Sequence, residues 1–135
     1  MLTWRIASGG YVTATIPRTI CRKKPDILLH ALLMRRPSGR EVDHISGDRM
    51  DNRKKNLRLC THQQNCCNQR KKVNNTSGYT GVSRCKYSDR FEAYVYRNAR
   101  KIYLGTYATP EAAAYARDQA ARRYHGEYAR LNFAD

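Results

Sequence analysis

The sequence predicts an α+β protein built from two small units. The first reads as strand, long loop, strand and helix; the second reads as a three-stranded antiparallel sheet packed on one helix. Three observations predict this. Short runs rich in β-branched and aromatic residues alternate in and out with period two in both halves. Thr61 and Gln64 form a Thr-x-x-Gln capping box that opens a helix near His62. Thr109, Pro110 and Gly126 bracket one longer helix with an N-cap, an N1 proline and a C-terminal glycine.

Along the chain, "YVTATI" (residues 11–16) alternates as a strand, and the basic "RKK" at 22–24 follows. Ile27 to Met34 is rich in Leu and Ala and predicts a short helix, and "RRPSGRE" a turn. Val42 to Ile45 begins a strand, "SGDRMDNRKKN" is a long polar loop, and Leu57 to Cys60 returns as a second strand before the capped helix. The polar "VNNTSG" at 73–78 has no apolar period and reads as a linker, dividing the chain into 1–72 (central motif 42–69), 73–78 and 79–135. In the last segment a strand starts at Gly81 and Val82. Phe91, Ala93 and Val95 then face one way, with Glu92, Tyr94 and Tyr96 the other, and Ile102 and Leu104 alternate with Lys101 and Tyr103. The expected packing side of the closing helix is Ala113, Ala116, Ala120 and Tyr124, small residues that let it approach a sheet closely.

Composition narrows the partner. Lys plus Arg number 26 against 11 Asp plus Glu, a net charge of +15 and a pI near 10. Such a surface suits a polyanion, because neutralised phosphates release condensed counterions. No apolar run approaches the length of a membrane span, and "ILLHALLM" is interrupted by His30. The N-terminus shows no basic-then-apolar signal pattern, so a cytoplasmic location is expected. The five cysteines are an odd number and lack a Cys-x-x-Cys pair, which argues for reduced thiols over a zinc ribbon or a disulfide framework.

The chemically suggestive stretch is "VDHISGDRMDNRKKNLRLCTHQQNCCNQ" (42–69). Phosphodiester hydrolysis at neutral pH needs a base for water and a positive centre for the leaving oxygen. Histidine titrates nearest that pH, which makes His44 the candidate base. Asp43 and Asn65 offer hard oxygen donors of the kind Mg²⁺ prefers. Neighbours on a strand point to opposite faces, so Asp43 and His44 share a site only where the strand ends or bends. Asn56, at the loop's end, is placed to tie the loop to the strand and hold the His44 ring. By residue type alone, a surface Asp–His ion pair is the commoner arrangement.

The stretch closely resembles the HNH (ββα-metal) endonuclease motif in the asparagine-rich form of phage and intron-encoded homing endonucleases. It has Asp-His, twelve positions to Asn56, then nine to Asn65, within "VDHISGD", "DN", "NLRLCT" and "QN". The resemblance implies a ββα-metal unit. It implies Asp43 and Asn65 as ligands of a divalent ion (Mg²⁺, with Mn²⁺ as the other choice), His44 as general base and Asn56 as the loop-fixing residue. Asn52 and Asn68 are secondary candidates, for loop support and a phosphate contact; His30 and His62 are read as structural or backbone-contacting. Two departures stand out: Ala31 where the family carries Arg after the His of "LLHALLM", and a shorter N-terminal strand region in residues 1–24.

Residues 79–133 resemble the APETALA-two / ethylene-response-factor DNA-binding domain, through "GV" (81–82), "YLGTY" (103–107), "EAAAYARDQAA" (111–121) and "ARLNF" (129–133). That resemblance implies a sheet that enters the major groove. The residues agree in placing Tyr94, Tyr96, Lys101 and Tyr103, with Tyr87, on the face opposite the apolar positions, suited to sugars and phosphates. Arg84, Lys86, Arg90 and Arg97 are assigned to backbone contact. Ser83 and Cys85 stand where plant members carry guanine-reading arginines, so the plant target sequence does not transfer.

Together these readings give a metal-dependent endonuclease of homing type that nicks double-stranded DNA, acts as a monomer in the cytoplasm (the host's, if phage-encoded), and is targeted by its second unit. The alternative is a non-cleaving, sequence-tolerant DNA-binding regulator derived from such an enzyme.

Overall fold

A computed structural model describes residues 2–17, 19–20, 26–68 and 75–133. The basic run 22–24, Cys21, the 69–72 segment and linker residues 73–74 lie outside the described residues. The protein is a mixture of antiparallel sheets and helices that separates into two compact units, Met1–Asn65 and Cys66–Asp135.

In the first unit, β1 (Trp4–Ile6), β2 (Val12–Thr15) and β3 (Asp26–Leu28) form an antiparallel sheet in that order, with Ala14 opposite both Trp4 and Ile27. The stretch expected to be one helix from Ile27 is divided. Its first residues pair with β2, and α1 covers only Leu29–Leu33. A helix of five residues has too few internal hydrogen bonds to stand alone, and strand pairing satisfies the preceding backbone groups instead. A hairpin follows, β4 (Glu41–His44) against β5 (Leu57–Cys60), in the register Glu41–Cys60, Val42–Leu59, Asp43–Arg58 and His44–Leu57. Helix α2 (His62–Cys67) begins directly after it. Its N-terminus is held reciprocally: the Thr61 backbone N–H donates to Gln64 Oε1 at 2.8 Å, and the Gln64 N–H donates to Thr61 Oγ1 at 3.2 Å.

In the second unit, β6 (Val82–Arg84), β7 (Phe91–Arg97) and β8 (Arg100–Tyr107) form an antiparallel meander, with a bulge between Ala93 and Tyr94. Helix α3 (Pro110–His125) packs on it, capped by Thr109, whose hydroxyl accepts from the Ala112 N–H at 3.2 Å. The core is Val82, Ala93, Ala113 and Ala114, edged by Tyr79, Phe91, Leu104 and Tyr107. The buried stripe of α3 is Ala113, Ala114, Arg117, Asp118 and Ala121, rotated from the expected Ala113, Ala116, Ala120 and Tyr124.

Two charged residues account for that rotation. Asp118 accepts from the backbone N–H groups of Asn132 (2.7 Å) and Phe133 (3.0 Å), from the Asn132 side chain (3.0 Å) and from Arg117 (3.1 Å). Asn132 in turn bonds both backbone groups of Thr80, at 2.7 and 3.0 Å. With the pair turned inward, Asp118 and Asn132 tie the C-terminal "LNF" strap to α3 and to Thr80, just before β6. Gly81 sits beside the same network at φ +74°, where a Cβ would lie 2.6 Å from Tyr94 O and 2.7 Å from Arg117 Cγ. Only glycine permits that approach.

Candidate functional site

The hairpin places the predicted residues on two faces. Val42 and His44 point one way along β4, while Glu41 and Asp43 point the other. The strand ends at His44, where the Gly47 N–H donates to His44 O at 2.7 Å and Gly47 takes φ 73°. Asp43 and His44 are both buried, 6% and 5% exposed, which is unusual for charged or titrating side chains and requires partners.

On the first face, Asp43 Oδ2 accepts from Arg58 Nε at 2.9 Å and Nη2 at 2.7 Å, across the hairpin register. Glu41 lies two residues earlier. Its Oε2 accepts from Asn65 Nδ2 at 2.6 Å, and its Oε1 meets His62 Nδ1 at 2.8 Å. The Asn65 amide, and then His62, hold the Glu41 carboxyl below its ordinary range. Cys60, opposite Glu41, is fully buried, and burial followed by the charges of Asp43 and Glu41 pushes its thiol up to about 11. In its protonated form it donates to the Glu41 carbonyl at 3.7 Å. Cys60 and Cys85 are free thiols.

On the second face, His44 Nε2 lies 3.2 Å from Asn52 Oδ1. The Asn52 amide nitrogen donates to Met50 O at 3.2 Å, which turns its oxygen to the histidine. An amide oxygen only accepts, so Nε2 carries the hydrogen and Nδ1 is the basic nitrogen of neutral His44. The ring stands edge-on to His30 (4.9 Å) and near Tyr11 (6.1 Å), with the Arg49 guanidinium 4.6 Å over Tyr11. Burial, then the neighbouring charges of His44 and Arg36, push His30 down to about 4. Asn56 is buried and closes the loop: its Oδ1 accepts from the Ser46 N–H at 2.9 Å, its Nδ2 donates to Asp51 O at 2.8 Å, and its own carbonyl takes the Ile45 N–H at 2.8 Å. Asn68 is buried.

Among the described residues, no group of three or more His, Cys, Asp or Glu side chains is arranged to hold a metal ion. The donor chemistry nonetheless fits a hard cation. Asp43 and Asn65 provide a carboxylate and an amide oxygen, and Asn65 is bonded to Glu41 on the strand face that carries Asp43. Two protein donors leave the remaining positions to phosphate and water, as Mg²⁺ commonly accepts.

In the second unit the register separates the basic candidates. Tyr94 pairs with Tyr103 and Tyr96 with Lys101 on the face away from α3; Lys101 Nζ lies 4.1 Å over the Tyr94 ring, and Tyr94 and Tyr96 meet edge-on at 5.9 Å. Lys86 and Tyr87 are together on the β6–β7 turn, with Nζ 5.2 Å from the ring, and Arg90 donates to Thr106 O at 3.2 Å. Arg84 and Arg97 do not join them. Arg84 pairs with Phe91 on the core side of the sheet and is held by Asp89, while Arg97 lies 5.3 Å over Tyr124 of α3. Sequence reasoning missed Glu41, Arg58 and the Arg117–Asp118–Asn132 network. Cross-strand pairing of Asp43 with Arg58 followed from the hairpin register; the others required the helix orientations.

Residues 35–66 match a family model described as HNH endonuclease, a segment that contains Asp43, His44, Asn56 and Asn65. The chain is also similar to plant proteins. An AP2-like ethylene-responsive transcription factor of Arabidopsis thaliana is 38% identical over 68 residues, covering 43% of this chain and 22% of its own length. Ethylene-responsive transcription factor WRI1 of the same species is 37% identical over 68 residues, 43% of this chain and 16% of that protein. APETALA2-like protein 2 of Oryza sativa subsp. indica is 36% identical over 58 residues, 43% of this chain and 13% of that protein. The chain thus spans under a quarter of these curated relatives. A segment that matches HNH endonuclease and a stretch similar to AP2-like proteins occur in one polypeptide. No described helix is long and apolar enough to cross a membrane.

Proposed function

We propose that the protein is a metal-dependent DNA endonuclease of homing type whose ββα-metal unit, within residues 1–72, hydrolyses one strand of duplex DNA. The observation that supports the reading is that the segment matching HNH endonuclease holds all four site residues: Asp43, His44 and Asn56 are buried on or beside the β4–β5 hairpin, and Asn65 is hydrogen-bonded to Glu41 of β4. Asn52 fixes the His44 tautomer, and Nδ1 takes the proton of the attacking water. Asn56 fastens the loop after β4, so the ring keeps its place while the strand runs out into the turn. Asp43 and Asn65 would hold the divalent ion, Mg²⁺ or Mn²⁺, whose charge offsets that building on the phosphate and the leaving 3′-oxygen.

Residues 73–78 link this unit to a DNA-binding unit at 79–135. There Tyr94, Tyr96, Lys101 and Tyr103 form the contact face, with Lys86, Tyr87 and Arg90 at its edge. Arg84 and Arg97, on the core side, reach backbone phosphates only at the sheet's rim. Two modest contacts on one short linker raise overall affinity through effective concentration. The protein works as a monomer on DNA in the cytoplasm, that of a host cell if it is phage-encoded.

A second reading, a non-cleaving DNA-binding regulator, is favoured by one observation: Arg58 already neutralises Asp43. Supercoiled plasmid separates the two. With Mg²⁺ or Mn²⁺ the native chain is expected to yield open circles, and His44→Ala at equal DNA occupancy to cut about 10²- to 10⁴-fold more slowly. Binding without cleavage in either ion supports the regulator.

A further inference from the structure

Asn65 is an amide, and an amide presents either an acceptor or a donor to a cation depending on how it is turned. Only its oxygen can ligate. What sets the turn is whatever the other end of the amide meets, and in this structure that is Glu41. A carboxylate accepts hydrogen bonds and donates none, so the end of Asn65 that meets it must be the NH₂. The contact is short, 2.6 Å from Nδ2 to Oε2, and charge-assisted. The carboxylate is itself held from its other oxygen by His62, at 2.8 Å, and sits on β4 two residues before Asp43, on the same face. Helix α2 fixes the Asn65 backbone, whose N–H donates to Thr61 O at 3.0 Å. Backbone and amide nitrogen are both anchored, which leaves the amide oxygen with one direction.

We propose that Glu41 is a positioning residue for the metal site: by taking the Asn65 NH₂ it presents the Asn65 oxygen as a donor alongside Asp43. The inference rests on the assignment of Asn65 as a ligand made above. Glutamine in place of Glu41 keeps the size but can donate as well as accept. It removes both the bias on the amide and a negative charge bonded to a ligand. Partners of metal ligands commonly change affinity by 10- to 100-fold when lost.

The experiment uses the full chain carrying His44→Ala, bound to duplex DNA so that nothing is cut, with Mn²⁺ titrated in and the free ion read by electron paramagnetic resonance. Glu41→Gln is expected to weaken Mn²⁺ binding about tenfold or more, with an unchanged melting temperature and with the Asn65 side-chain NH₂ resonances moved in a ¹⁵N NMR spectrum. Asn65→Ala reports separately on the ligand. Loss of binding in Asn65→Ala with native affinity in Glu41→Gln overturns the positioning role and leaves the ligand assignment standing. Native affinity in Asn65→Ala, or no Mn²⁺ binding by the parent, overturns both. A loss in Glu41→Gln that comes with a fall in melting temperature assigns Glu41 a structural role and overturns the proposal.

Discussion

The two units bury different things. Among the described residues of the first, the buried polar Thr13, His30, Asp43, His44 and Asn56 outnumber the buried apolar Ala14, Val42, Leu57 and Cys60. In the second, Val82, Ala93, Val95, Ala113, Ala114 and Ala121 make an apolar core, and the buried charges of α3 are confined to Arg117 and Asp118. The contrast follows from where each unit is proposed to meet DNA. A cleavage site needs a base and ligands fixed to a fraction of an ångström, which is achieved by burying them among partners. A contact face needs side chains in solvent, so the second unit leaves Tyr87, Tyr96 and Tyr103 more than half exposed and builds an ordinary core behind them.

The strongest way to break this contrast is to disturb the buried charged network of the apolar unit, Arg117 with Asp118. Asp118→Ala leaves Arg117 buried without its carboxylate and releases the Asn132 and Phe133 backbone. A loss of about 3–5 kcal/mol is expected in urea denaturation monitored on the second unit. A loss under about 1 kcal/mol would mean that the apolar core alone holds the strap.

The next effect belongs to the polar unit. His30 is pushed down to about 4 in the fold, against an ordinary value of 6.5. The unfolded chain therefore binds the proton first as pH falls. Stability from keeping His30 neutral is complete above about 6.5 and is lost between there and about 4, to a total of about 3 kcal/mol. Melting temperature measured between neutral pH and pH 4 checks this, and His30→Phe is expected to flatten that part of the profile. An unchanged slope in the variant would move the acid sensitivity elsewhere.

The smallest effect sharpens the comparison by testing a feature that serves only folding. Thr109→Ala removes the hydroxyl that accepts from Ala112, and is expected to cost about 1 kcal/mol by thermal melting. At equal occupancy, plasmid cleavage should be unchanged.

Much of this was legible in the chain itself. Period-two alternation located β2, β4, β5 and the meander, because a half-buried strand leaves that imprint locally. The capping box and the Thr109-Pro110 start were readable for the same reason, since caps are satisfied within three residues. The spacing from Asp43 through Asn56 to Asn65 identified the candidate site, and every one of those positions lies in or beside the hairpin. What was not legible depended on side chains meeting across distant sequence. Charged residues at 117 and 118 read as solvent-facing until the strap at 132–133 supplies their partners. Arg84 and Arg97 look like members of a basic DNA-facing set until the register assigns each to a side of the sheet. The division of Ile27–Met34 into strand and helix depended on β2 being available to pair.

The sequence by itself determined most of the strands and the two capped helices, a charge that suits a polyanionic partner, and the spacing of an Asp-His-Asn-Asn motif, all properties of short-range chemistry and composition. Tertiary structure alone decided that Arg58 lies on Asp43, that Asn52 meets His44 Nε2 and that Glu41 accepts from the Asn65 amide. Each is a hydrogen bond whose donor and acceptor are brought together by a strand register or a helix docking. No local pattern encodes which of several nearby polar groups will be the one within 3 Å.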